Sequence, residues 1–142
     1  MAEALLHHID SRNFDAFSAG LSCGQVHSLA MEVMKEIGID LSGKSPKSLT
    51  ELKDEVFDFV ITLDGITAGL DHSLTTADTV HWTFEDPLAV SNDVQLQRRA
   101  FRALRDQIAQ RLRLFDIVHI RPGISEQTRF AEDHHTPAIH AQ

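Results

Sequence analysis

FDFVITL, residues 57–63, is the stretch whose reading decides the fold. It is short, rich in β-branched and aromatic residues, preceded by a charged run and followed by Asp64-Gly65. A short run so rich in β-branched and aromatic residues, with helical patterns around it, reads as a fully buried central strand of a parallel sheet, covered by helices on both faces. Helical patterns lie on either side, and a weaker strand signal spans residues 78–84. The chain therefore alternates strand and helix, an α/β arrangement. Chemistry in such sheets gathers beyond the carboxyl ends of the strands, which directs attention to Asp64 and its neighbours.

Upstream, residues 1–9 carry an apolar helical face, and residues 14–20 read as a short strand closed by Gly20. Leu29, Ala30, Val33, Met34 and Ile37 recur at helical spacing until Gly38 stops them. Residues 44–47 read as a loop, and Ser48-Leu49-Thr50-Glu51 is a capping-box pattern opening a short helix. Downstream, residues 64–77 form a polar loop, and Glu85-Asp86-Pro87 breaks the strand at 78–84. Phe101, Leu104, Ile108 and Leu112 mark the longest helix, expected from about Asn92 to about Leu114. Residues 116–120 then read as a further strand, ended by the turn Arg121-Pro122-Gly123. The expected organisation is a single domain over residues 1–135 and a flexible tail over 136–142.

Composition narrows the function classes. The chain has 142 residues, 42% of them hydrophobic, and no apolar run of membrane-spanning length. Its first residues lack the basic and apolar regions of a secretion signal. One cysteine, Cys23, excludes an internal disulfide framework and fits a reducing cytoplasm. A net charge of −8 argues against nucleic acid as the main partner. Arg98, Arg99, Arg102, Arg105, Arg111 and Arg113 cluster on the long helix among acids and glutamines, the pattern of a solvated face.

Phe17-Ser18-Ala19-Gly20, VHSLAMEVMKEIGIDLSGKSPKSL over residues 26–49, FDFVITL, and HWTFEDP over residues 81–87 together resemble the arsenate reductases of the low-molecular-weight tyrosine phosphatase fold. The order and spacing agree over residues 1–114. The resemblance implies a parallel sheet flanked by helices and an oxyanion loop of a cysteine, five residues and an arginine, whose thiolate attacks the bound anion. It also implies that Asp86, in the Asp-Pro pair, is the general acid. The reductases add two further cysteines after the strand that 57–63 resembles.

Departures from the pattern fall at the chemistry. Residues 1–6 match the middle of the family's first helix, so the first strand and its cysteine loop are not matched. Asp64 stands where a redox cysteine is expected, and no cysteine lies between Asp64 and Asp86. The unmatched strand would sit between those at 14–20 and 57–63, leaving two edges without partners. HIRPGISEQTRFAE, residues 119–132, can be laid on the family's strand end, loop and helix start. Gly123, Ser125, Ala131 and Glu132 then fall on family positions, with Arg121 at the cysteine and Gln127 at the arginine. The expectation is a circular-permutation-like arrangement in which residues 116–120 become the central strand, in the same molecule or in a homodimer formed by strand exchange.

Candidate site residues follow. Asp86 is the family's general acid in a vestigial form, or simply the start of a turn before Pro87. Arg121, Gly123, Ser125 and Arg129 would cradle a phosphate- or arsenate-like anion, or form a structural turn. Cys23 reads as an unremarkable loop thiol, and Trp82 as a core or subsite aromatic. His7, His8, His134, His135 and His140 match no firm ligand spacing, and Asp64 with Asp71 suggests only a solvated loop. No metal, cofactor, nucleic acid or membrane is expected. The preferred function is a degenerate, non-catalytic relative of arsenate reductase, binding an oxyanion or a partner. The alternative is an N-terminally truncated, thiol-dependent arsenate reductase or phosphotyrosine phosphatase whose catalytic loop lies outside this sequence.

Overall fold

The computed structural model describes residues 1–21, 24–63 and 75–120. In chain order these form α1 (Ala2–Ile9), β1 (Ala19–Gly20), α2 (Ser28–Lys35), β2 (Lys47–Ser48), a 3₁₀ turn (Leu49–Leu52), β3 (Val56–Thr62), β4 (Thr75–His81) and α3 (Val94–Ile120). Local chemistry sets most of these ends. The His27 ring accepts the Leu29 N–H at 3.2 Å and starts α2. Gly38, at φ 80°, closes the helix: its N–H reaches the Lys35 carbonyl and the Ile39 N–H reaches that of Met34. The capping box at Ser48 forms as expected, with Glu51 accepting the Ser48 N–H at 2.8 Å. Asp93 caps α3 by accepting from Gln95 and Leu96.

The strands form two parallel pairs, β1 with β2 and β3 with β4. Among the described residues no strand joins β1 to β3. The Trp82 N–H donates to the Thr62 carbonyl at 2.8 Å, so Thr62 faces β4. Parallel strands present alternate residues to opposite neighbours. Phe57, Phe59 and Ile61 therefore turn their backbone groups towards the other edge.

That one-sided pairing corrects the expectation that this strand is fully buried. Val56 is 78% exposed, and along β3 only Thr62 is buried. The strand at 14–20 shrinks to Ala19–Gly20, Lys47 leaves the expected loop for β2, and the third strand lies earlier, at Thr75–His81.

Helix α3 packs against α1 and α2. Its buried stripe runs through Phe101, Arg105, Ile108, Ala109, Leu112 and Phe115: Ile108, Ala109 and Leu112 pack with Leu5, Met34, Ile39 and Leu41, Phe101 packs with Leu29, Ala30 and Val33, and Phe115 meets Phe14 and Phe59. The stripe does not stop at Leu114. Residues 116–120 continue the same helix, and the strand expected there is not formed. Phe115 keeps the helical step from Leu112, and the His119 ring stacks back on Phe115 at 4.1 Å with its Nδ1 2.9 Å from that residue's carbonyl. No proline interrupts the run before Pro122. The circular-permutation arrangement, and dimerisation by exchange of that strand, lose their strand with it.

Candidate functional site

The carboxyl ends of β3 and β4 lie side by side, with Thr62 and His81 as register partners. Thr62 is 7% exposed, and its hydroxyl lies 2.9 Å from His81 Nδ1. That contact fixes one ring nitrogen at the strand end. From there the chain runs through Trp82, Thr83 and Phe84 to Asp86.

Asp86 is exposed, and its Oδ1 accepts the Leu88 N–H at 2.9 Å while its carbonyl accepts from Ala89. The carboxylate thus starts the turn at Pro87, and one oxygen is engaged there. The approach to this turn is braced from α3. Arg111 places its guanidinium 4.7 Å from the Phe84 ring centre and 6.0 Å from that of Trp82. Trp82 meets Phe84 and Phe115 edge-on, and Phe115 meets Phe59 in the same way.

A second polar cluster ties α1 to the start of β1. Glu3 accepts from the Ser18 hydroxyl at 2.6 Å and from Lys44 Nζ at 3.2 Å. Burial pushes the Glu3 carboxyl up, but the Ser18 and Lys44 hydrogen bonds outweigh it and hold the group below its ordinary value. Lys47 lies over the Phe17 ring at 5.6 Å, and Phe17 meets Phe57 edge-on across the space between β1 and β3.

Of the expected general acid and anion cradle, only Asp86 is among the described residues. Arg121, Gly123, Ser125 and Arg129 lie outside the described residues, as do Cys23, Asp64, Asp71, His134, His135 and His140. His7 and His8 are exposed on α1, and no group of three potential metal ligands forms among the described residues. No described helix is long and apolar enough to cross a membrane. The arginine cluster is not simply solvated. Arg98 pairs with Glu32, Arg102 with Glu36, and Arg105 with Glu36 and the Val33 carbonyl. The Thr62–His81 contact and the Arg111 brace carry no local pattern; only the strand register and the helix phase bring them together.

A parallel-stranded α/β unit with an Asp-Pro turn just beyond its last strand defines a class. Residues 1–120 match the family model described as low molecular weight phosphotyrosine protein phosphatase, and the chain belongs to that family. Within it, the chain is similar to the arsenate reductase of Halalkalibacterium halodurans, at 32% identity over 103 residues, 72% of this chain and 74% of that protein. It is 30% identical over 113 residues to the glutaredoxin arsenate reductase of Synechocystis sp., covering 79% of this chain and 82% of the relative. Among solved structures, an arsenate reductase in the phosphate binding state superposes with a TM-score of 0.68 at 28% identity, covering 80% of this chain and 83% of the other.

Proposed function

We propose that this chain is the scaffold and general-acid part of a thiol-dependent arsenate reductase whose cysteine loop lies outside these 142 residues. The observation that carries the reading is the likeness to arsenate reductases over most of both chains. The Asp-Pro turn beyond β4, and an edge of β3 that pairs with no strand among the described residues, are consistent with it. Reducing arsenate to arsenite takes two electrons, which two thiolates supply on closing to a disulfide. The sequence holds one cysteine, so at least one sulfur comes from elsewhere. In this reading a tetrahedral oxyanion, phosphate or arsenate, sits beyond the strand ends, Asp86 gives a proton to the leaving oxygen, and the protein works in the cytoplasm.

A second reading is favoured by one detail. Leu88 already engages the Asp86 carboxylate, as a turn residue in a degenerate, oxyanion- or partner-binding relative would have it. Two preparations separate the readings: the 142-residue chain, and the same chain joined to any in-frame strand–cysteine-loop segment encoded upstream. Each is assayed for thiol-dependent arsenate reduction and for aryl phosphate hydrolysis. Turnover by the joined chain supports the reductase. Phosphate binding without turnover in either preparation overturns it in favour of the binding protein.

A further inference from the structure

A cavity of about 230 Å³ opens between α1, α3 and Ile37, just past the C-cap of α2. None of its lining residues belongs to a strand, so it is separate from the strand ends. Its wall is apolar: Leu5 is 2% and Ala109 7% exposed, with Ile9 and Ile37 beside them. Ile37 is 40% exposed, an apolar surface that the chain itself leaves open.

The polar side of the cavity is lopsided in charge. Arg105 is committed, through Nη1 to the Val33 carbonyl and Glu36 and through Nε to Asp106. Asp106 is thereby compensated. His8 and Arg113 also line the cavity, and among the described residues neither has a hydrogen bond or ion pair. One guanidinium without an ion-pair partner, that of Arg113, beside the His8 ring over an apolar wall stands out in a chain of net charge −8.

We infer that this cavity binds a small monocarboxylate with a compact apolar body. The body lies on Leu5, Ile9, Ile37 and Ala109, and the carboxylate meets Arg113 and His8. Shape and charge both select this class. A fully hydrated tetrahedral anion would lose water against the apolar wall with one free guanidinium to replace it. A neutral apolar molecule would gain nothing from the Arg113 guanidinium. Site and ligand class do not depend on the arsenate chemistry proposed above.

The test is a titration of the ¹⁵N-labelled full chain with benzoate, followed by amide shifts. The expected result is saturable shifts at Ile9, Ala109 and Arg113 that inorganic phosphate does not reproduce or displace. Arg113→Gln, at an exposed position, is expected to weaken benzoate by about tenfold to a hundredfold, the loss of one charge-assisted hydrogen bond. Ala109→Leu keeps the helix, fills the cavity and is expected to abolish the shifts. Absence of saturable shifts at these amides, parent-like affinity in Arg113→Gln, or competition by phosphate would overturn the assignment.

Discussion

Arg105 Nη1 donates to the carbonyl oxygen of Val33 at 2.7 Å, from a side chain only 10% exposed. The contact staples α3 to the backbone of α2; the same Nη1 also donates to Glu36, and Nε donates to Asp106. A largely buried charge with Nε and Nη1 both engaged costs little where it stands, but its removal leaves the Val33 carbonyl without its partner and breaks two ion pairs. Arg105→Met, which keeps much of the bulk, is expected to destabilise by about 2–4 kcal/mol. Arg99→Met, at an exposed position on the same helix, should stay within about 0.5 kcal/mol of the parent. Urea midpoints read both, and equal midpoints for the two variants would contradict the staple.

Acid stability depends on Glu3. Its carboxyl titrates below its ordinary value in the folded chain because Ser18 and Lys44 together outweigh its burial. In the pH window between the two values the unfolded chain binds more protons. The contribution is therefore complete above the unfolded value, about 4.5, and is lost as pH falls through the lower folded value. Glu3→Gln should melt at lower temperature than the parent at neutral pH, with the difference shrinking through that window. Because Lys44 is 56% exposed, salt should narrow the difference as well. Melting curves that stay parallel from pH 7 to acid would rule the linkage out.

Phe115 tests the end of α3. It is 6% exposed and meets Phe14, Phe59, Trp82 and His119. Phe115→Ala is expected to cost about 3–5 kcal/mol through the cavity it leaves. Val118 is 71% exposed on the same stretch of helix, and Val118→Ala should be nearly neutral, since alanine is the better helix former. Were 116–120 an inserted central strand, Val118 would be a costly position too. Denaturant midpoints of the two variants decide between the arrangements.

Helix ends were the most legible part of the chain. Gly38 and the Ser48–Glu51 box act through residues a few positions away, so their chemistry is visible in the sequence. Burial is not local in that sense. FDFVITL has the composition of a strand enclosed on both sides, yet its exposure depends on which strands flank it. Residues 116–120 mislead for a related reason. Ile117, Val118 and Ile120 have strand-like side chains, but Phe115 and His119 continue the phase of a helix already running, and continuing a helix is easier than nucleating a new element. Arg105 looks solvated because its partners on α2 lie about seventy residues away. The Thr62–His81 contact depends on a parallel register that no local motif encodes.

Asp86 is where fold and chemistry can be pulled apart. Its Oδ1 accepts from the Leu88 N–H, a role that an asparagine side-chain oxygen also fills. Asp86→Asn should therefore keep the turn, while Asp86→Ala loses the acceptor. Trp82, the one tryptophan in the chain, lies between Arg111 and Phe115 and reports on this region by its emission. The Asn variant should keep the parent spectrum and melting temperature; the Ala variant should shift both. Asparagine has no proton to give, so in a preparation that turns over arsenate or an aryl phosphate, Asp86→Asn should lower the rate by about 10²–10⁴-fold. The loss should be steepest for substrates whose leaving group is a poor one, since those need the proton most. An Asn variant with the parent's spectrum and the parent's rate would leave Asp86 as a turn residue and move the proton donor elsewhere.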